Sequence, residues 1–222
     1  MNTAEAPTVV LVPGACHGGW WYDPVVEGLA AHGQTAVAVT LPGLEQHPVL
    51  ERLITLDTHI DHVLGALPQH GQVVLVGHSY AGMVITAVAD RIPQRVHALV
   101  YLDAVLPADG DSCWSLINDE QRQWYASGCA RTGYGVDPLP FFDERARPHP
   151  VATLLQGVSL SGAWQQVSTK RYVAATWPPE SPMATSTRRA HAHPEFVVHH
   201  WDTRHNVLAD GPDQVLGLIR SL

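Results

Sequence analysis

The segment that most constrains the fold runs through the end of the first third of the chain. The apolar stretch Val73–Val76 leads directly into the hexapeptide Gly77–Gly82, and a helical pattern continues over Met83–Arg91. A buried strand, a tight turn of small residues around a serine, and a helix are the parts of a nucleophile elbow. Such a turn exposes its serine, here Ser79, at the carboxyl end of a sheet. The usual G-x-S-x-G pattern ends at Ala81, which is still small. An ordinary strand-to-helix turn whose serine caps the helix is the alternative.

Strand and helix patterns alternate along the rest of the chain. Short apolar runs predict strands at Val9–Val12, Ala36–Val39, Val73–Val76, Ala98–Leu102, Arg171–Ala175 and Phe196–Trp201. Helical patterns begin at Asp23, expected as an N-cap before Pro24, and near Asp57, and a last one covers Gln214–Arg220. This alternation predicts a mostly parallel sheet covered by helices on both faces. Ligands of such sheets bind at the carboxyl ends of the strands.

One segment, about residues 106–167, interrupts the alternation and is called the insertion below. It is rich in loops and aromatic residues, and it follows a predicted core strand at the edge of the sheet that carries Ser79. We therefore expect one domain, residues 1–222, with a core of 1–105 and 168–222 and the insertion as a lid. Most of the lid aromatics should pack it to the body, and a few should line an apolar pocket. They are Trp114, Trp124, Tyr125, Tyr134, Phe141, Phe142 and Trp164.

Composition excludes several classes of function. A chain of 222 residues that is 45% hydrophobic and 15% charged can bury one core and is neither disordered nor membrane-like. A net charge of −8 with only 13 Lys and Arg residues disfavours nucleic acid as a partner. No apolar run approaches the roughly 20 residues that span a bilayer. Met1–Ala6 lacks the pattern of a signal peptide, and three separated cysteines do not suggest a disulfide framework, so we expect a cytoplasmic protein.

A serine nucleophile needs a base, and 14 histidines compete for that role. In chains with this elbow the order is serine, acid, histidine, and the histidine follows the last strand. The loop after Phe196–Trp201 contains His205, which we predict as the base. His191 and His193 form an H-x-H pair, but no carboxylate or cysteine spacing supports a metal site there. We expect neither a metal nor a cofactor.

The acid that would orient His205 has two candidates. The usual place is the loop after Arg171–Ala175, which contains no aspartate and offers only Glu180. Asp103 follows the strand that should lie beside the elbow strand, so its side chain should face the same cleft. We favour Asp103 as the acid and keep Glu180 as the alternative.

Two backbone N–H groups should form the oxyanion hole. One belongs to Tyr80, the residue after the nucleophile. The other should come from the glycine-rich turn after the first strand, and we assign it to Ala15. Each such donor typically contributes ~3 kcal/mol of transition-state stabilisation. The neighbouring Cys16 and His17 lie in the same turn without a third partner, which argues against a Cys-His nucleophile.

Three segments, Val9–Trp20, Gly77–Met83 and Asp202–Asp210, resemble the α/β-hydrolase superfamily. They are most similar to the branch of plant hydroxynitrile lyases, plant salicylate and jasmonate methyl-ester esterases, and related bacterial esterases. The resemblance implies an α/β-hydrolase fold with Ser79 as nucleophile, His205 as base, and oxyanion donors at Ala15 and Tyr80.

The sequence departs from that branch at three positions. Trp177 lies about where the family places its acid. Hydroxynitrile lyases carry a lysine after the catalytic histidine and a threonine in the oxyanion turn, whereas this chain has Asn206 and Gly14. The last two differences favour ester hydrolysis over cyanohydrin cleavage.

We therefore expect a serine carboxylesterase that cleaves a small apolar or aromatic ester through an acyl-enzyme. A lyase or cyclase of specialised metabolism that uses the pocket without a covalent intermediate is the first alternative. A non-catalytic small-molecule binder is the second. The expected partner is a small-molecule substrate, without nucleic acid or membrane, and the sequence leaves a homodimer open.

Overall fold

The computed structural model describes residues 6–47, 53–177 and 181–222. These residues form eight strands, which are β1 (Thr8–Val12), β2 (Ala36–Ala38), β3 (Val73–His78), β4 (Val96–Leu102), β5 (Gly135–Val136), β6 (His149–Pro150), β7 (Thr169–Ala175) and β8 (Phe196–Trp201). Six of them form one sheet in the order β2-β1-β3-β4-β7-β8, and every neighbouring pair is parallel. The predicted parallel sheet is confirmed.

The described residues also form nine α-helices, which are α1 (Asp23–Ala31), α2 (Leu56–Ala66), α3 (Ala81–Arg91), α4 (Cys113–Leu116), α5 (Asp119–Cys129), α6 (Val151–Leu155), α7 (Ala184–Ala192), α8 (Val207–Asp210) and α9 (Pro212–Arg220). Successive side chains of a strand point to opposite faces of a sheet. Val10 and Leu75 accordingly join a core with α2 and α3, whereas Val9 and Val74 join a second core with α1 and α9. Helices cover both faces, as predicted.

Two helix starts differ from the sequence-based expectation. Tyr22, not Asp23, is the N-cap of α1, because a short 3-10 turn over Gly19–Tyr22 runs directly into the helix. Helix α3 begins at Ala81, two residues before the predicted start. The reason is that the carbonyls of the elbow itself, including Ser79 O, already accept the first helical hydrogen bonds.

The register of the parallel sheet determines where Ser79 and Asp103 lie. His78 and Leu102 are paired neighbours at the ends of β3 and β4, so Ser79 and Asp103 follow side by side. The Asp103 N–H donates to Val173 O of β7 at 2.7 Å. The carboxyl ends of β3, β4 and β7 therefore converge at one edge of the sheet.

The insertion contains α4, α5, α6 and the two-stranded antiparallel sheet β5-β6. The last part of the insertion packs against the end of α3 and the start of β8. The Trp164 N–H donates to Asp90 Oδ1 at 3.0 Å, and the Trp164 ring packs near Phe196. Trp164 thus lies at the amino end of the sheet and joins the insertion to the body. Within the described ranges, no helix combines the length and apolar character that crossing a membrane requires.

Candidate active site

The elbow holds Ser79 in a backbone conformation that is unfavourable for a side-chain-bearing residue, with φ at +54°. Ser79 O accepts hydrogen bonds from the N–H groups of Gly82 at 3.1 Å and Val105 at 3.0 Å, which fix the turn against the chain after β4. A Cβ on Gly82 would lie 1.8 Å from Val105 O. The need for a small residue is therefore strictest at Gly82, which lies just beyond the G-x-S-x-G positions Gly77 and Ala81.

A continuous hydrogen-bond chain joins the three side chains predicted for catalysis. His205 Nε2 lies 2.9 Å from Ser79 Oγ, and His205 Nδ1 lies 2.7 Å from Asp103 Oδ2. An ionised carboxylate only accepts hydrogen bonds, so Nδ1–H donates to Asp103 and the lone pair of Nε2 faces the serine hydroxyl. This is the arrangement in which a histidine can take a proton from a serine.

Asp103 is fully buried, and its carboxylate is held from several sides. Oδ1 accepts from the Ala175 N–H at 3.2 Å, and the Ser181 hydroxyl lies 3.5 Å from both oxygens. The carboxylate is therefore oriented towards the His205 ring. The alternative acid Glu180 lies outside the described residues. Trp177, at the expected family position, is 57% exposed.

The predicted oxyanion turn lies against the elbow. The His17 N–H donates to Gly14 O at 3.3 Å, and Cys16 has a φ of +69°. A Cβ on Gly14 would lie 3.0 Å from Ser79 Cβ and 2.7 Å from His78 Nδ1, so only glycine permits this approach. In the described parts of the chain, neither the Ala15 N–H nor the Tyr80 N–H donates a hydrogen bond to another protein group. Both donors are available to a ligand.

His78, the residue directly before Ser79, makes two contacts that support the site. Its Nε2–H donates to His205 O at 2.8 Å, and its ring stacks on Trp21 with centroids 4.5 Å apart. Burial lowers the pKa of His78 well below its ordinary value, so the ring is neutral. His78 ties the histidine loop to the elbow. Its position next to Ser79 was the signal in the sequence, but the partner is 127 residues away.

Aromatic side chains line the side of the site near His17. The His17 ring lies 4.7 Å from Phe142 of the insertion, 5.6 Å from Trp20 and 5.7 Å from Trp21, measured between ring centroids. Burial lowers the pKa of His17, and the nearby His205 acts in the same direction. The rings form an apolar wall between the oxyanion turn and the insertion.

The histidines of the H-x-H pair do not point to a common ligand. His191 Nε2 lies 3.1 Å from Nε2 of His200 on β8, whereas His193 faces Glu195 at 3.5 Å. In the part of the chain that the structure describes, no three potential metal ligands cluster.

Comparison with known proteins gives a consistent result. A model of the Alpha/beta hydrolase family matches residues 9–218. A carbendazim hydrolyzing esterase from Nocardioides sp. (strain SG-4G) is 32% identical over 238 residues, covering 96% of this chain and 98% of that protein. Salicylic acid-binding protein 2 from Nicotiana tabacum is 37% identical over 109 residues, 46% of this chain and 41% of that protein. An extracellular alpha/beta-hydrolase from a Paenibacillus species has a TM-score of 0.80 at 21% identity, covering 96% of this chain and 98% of that one. The resemblance and the fold class inferred from the sequence are confirmed.

Proposed function

The chain belongs to the alpha/beta hydrolase family, and we propose that within it the protein is a serine carboxylesterase that cleaves small apolar or aromatic esters. One observation carries this proposal: the chain of hydrogen bonds from Asp103 through His205 to Ser79, at 2.7 Å and 2.9 Å. It supplies a nucleophile, a base and a group that orients the base, which is the minimum for acyl transfer.

The proposed reaction has two halves. Ser79 Oγ attacks the ester carbonyl while His205 Nε2 takes its proton, and the backbone N–H groups of Ala15 and Tyr80 stabilise the oxyanion. His205 then protonates the leaving alcohol as the C–O bond breaks, which leaves an acyl group on Ser79. A water molecule, deprotonated by His205, cleaves that acyl-enzyme and restores the serine. Asp103 stabilises the imidazolium in both halves.

The aromatic wall supports the proposed substrate class. The rings of Trp20, Trp21 and Phe142 surround His17, which lies near His205, and planar apolar groups bind well against such rings. One relative that aligns over nearly its whole length is a carbendazim hydrolyzing esterase, so carbendazim itself belongs in the substrate panel.

Two details argue against the cyanohydrin lyase alternative. Asn206, where the lyases carry lysine, uses its side-chain oxygen to cap α8 by accepting from the Ala209 N–H at 3.1 Å. Gly14, where they carry threonine, has no space for a side chain beside His78. The site therefore offers neither group of the lyase pattern.

The test is intact mass after incubation with a fluorophosphonate, which phosphonylates only an activated serine. We expect one adduct on the wild-type protein, none on Ser79→Ala, and hydrolysis of phenyl acetate that the same substitution abolishes. A folded wild-type protein that forms no adduct would contradict the proposal and leave the lyase, cyclase and binder alternatives.

A further inference from the structure

The insertion holds the oxyanion turn at Cys16 by every polar group of that residue. The Cys16 N–H donates to His149 Nδ1 at 3.3 Å, its carbonyl accepts from the Arg147 N–H at 2.9 Å, and its thiol lies 3.6 Å from Val136 O. Cys16 has a φ of +69°, a region that non-glycine residues avoid unless their surroundings fix them there. The contacts that fix it come from the β5-β6 sheet and the residues beside it.

The proton positions on His149 follow from its partners. Thr153 Oγ1 donates to Pro150 O at 2.7 Å, so it must accept from His149 Nε2–H at 2.9 Å. Nδ1 is then a lone pair, which is what the Cys16 N–H needs. His149 is fully buried, and burial lowers its pKa well below the ordinary value, so the ring stays neutral. Nε2 therefore serves as the donor to Thr153 and Nδ1 as the acceptor from Cys16, and the two nitrogens cannot exchange these roles.

His149 also contacts the second donor residue. Its ring meets the ring of Tyr80 edge to face, with centroids 4.7 Å apart at 72°. Tyr80 is anchored in turn by its hydroxyl, which lies 2.9 Å from His59 Nδ1. The His149 side chain thus contacts both Cys16, which follows Ala15, and Tyr80, which follows Ser79.

We propose that His149 is a positioning residue that aligns the oxyanion hole, so that the docked β5-β6 sheet is required for full activity. The inference rests on the proposed function, because it concerns the same site. Without the acceptor at Nδ1, Cys16 loses a contact that holds its left-handed conformation, and the Ala15 N–H turns away from the oxyanion. A displacement of about 1 Å is enough to cost a large factor in rate.

The kinetic test compares three variants with the wild type. His149→Phe keeps a ring but removes the acceptor, and we expect kcat to fall by roughly 10-fold to 100-fold, less than the ~10²–10³-fold loss of a whole donor. KM for phenyl acetate should stay within about twofold, because the oxyanion exists only in the transition state.

His149→Asn should recover most of the loss in kcat, since its Oδ1 occupies the place of Nδ1. Thr153→Val removes the partner of Nε2, but the Cys16 N–H still requires a lone pair on Nδ1, so this variant should lower thermal stability while kcat stays within about threefold of wild type.

A second readout does not depend on activity. The chain has three cysteines, so 15N-cysteine labelling gives three backbone amide signals. Hydrogen exchange of the Cys16 amide should be at least about tenfold faster in His149→Phe than in wild type or Thr153→Val. Equal protection in all of them would show that His149 does not hold the turn.

The outcomes separate the two proposals. If the wild-type protein neither reacts with fluorophosphonate nor hydrolyses esters, the proposed function fails, while the exchange data still report on the turn. If the wild type is active and folded His149→Phe keeps its kcat, the positioning role is wrong. If His149→Phe does not fold, the comparison of His149→Asn with His149→Gln tests the positioning role instead. The Gln amide reaches only the place of Nε2, so His149→Gln should have the lower kcat. Equal kcat for that pair would overturn the proposal.

Discussion

Replacing Asp103 with asparagine is the sharpest test of the proposed acid, because the backbone should accept it. Asp103 has a φ of +41°, and asparagine tolerates the left-handed region about as well as aspartate does. The two side chains have the same shape. Any loss of activity can therefore be assigned to the change from carboxylate to amide.

The Ala175 N–H determines which way the new amide points. In the wild type it donates to Asp103 Oδ1 at 3.2 Å, while Oδ2 accepts from His205 Nδ1–H. With the amide oxygen kept towards Ala175, the NH₂ group faces Nδ1 and forces the ring proton onto Nε2, where it points at the Ser79 hydroxyl. The opposite orientation sets NH₂ against the buried Ala175 N–H, which costs ~1–3 kcal/mol. In the favoured orientation, with the amide oxygen towards Ala175, His205 Nε2 carries a proton and cannot accept one from Ser79.

We therefore expect kcat to fall by about 10³-fold to 10⁴-fold, which is ~4–5.5 kcal/mol at 1.36 kcal/mol per factor of ten. The same substitution in the chymotrypsin-type triad, for the same tautomer reason, costs ~10⁴-fold. The assay is steady-state hydrolysis of phenyl acetate, with Ser79→Ala as the background rate and circular dichroism to verify folding.

Two control substitutions complete the experiment. Asp202→Asn changes an exposed carboxylate in the same loop as His205 and should leave kcat within about twofold. Glu180→Gln tests the alternative acid. Retention of more than a tenth of wild-type kcat by folded Asp103→Asn would refute the tautomer argument, and a large loss in Glu180→Gln would assign the acid to Glu180 instead.

Two further predictions concern stability. Gly82→Ala places a methyl group 1.8 Å from Val105 O, so we expect the free energy of unfolding to fall by more than ~3 kcal/mol or the protein to be insoluble. A urea midpoint equal to that of the wild type would contradict this close contact between Gly82 and Val105. Burial lowers the pKa of His59 to about 4 and those of His78 and His149 well below their ordinary value, whereas in the unfolded chain these histidines bind protons near pH 6.5. Below about pH 6.5 the unfolded state therefore binds more protons than the folded state, and the free energy of unfolding should fall with a slope of up to ~4 kcal/mol per pH unit. Equal urea unfolding curves at pH 7.5 and 5.5 would disprove this prediction.

The sheet was predictable because its signals are local. Most of its strands contain a short apolar run, and Pro13, Gly77, Asp103 and Asp202 directly follow four of the predicted strands. The order of strand, elbow and helix around Ser79 needs no information from elsewhere in the chain. Helix starts were less predictable, because the hydrogen bonds that set them begin in the preceding turns, as at Gly19–Tyr22 and at Ser79 itself.

The supporting contacts of the site could not be read from the sequence for the opposite reason. His78 meets His205 across 127 positions, and Cys16 meets His149 across 133. Neither pair lies in a spacing that a motif records, and with 14 histidines the composition cannot single out two of them. Only the folded insertion shows that His149 belongs beside the oxyanion turn.

The place of the candidate acid shows how sequence position and spatial position can separate. Asp103 follows β4, but its N–H bonds to Val173 of β7 and its carboxylate accepts from Ala175, the last residue of β7. Its carboxylate therefore lies at the end of β7, the strand after which the family acid is expected, although it comes from the neighbouring strand. Adjacent parallel strands end at one edge, so a carboxylate on either can reach the same imidazole. A tryptophan at position 177 is then compatible with an unbroken chain of hydrogen bonds from Asp103 through His205 to Ser79, because the candidate acid can come from either strand end.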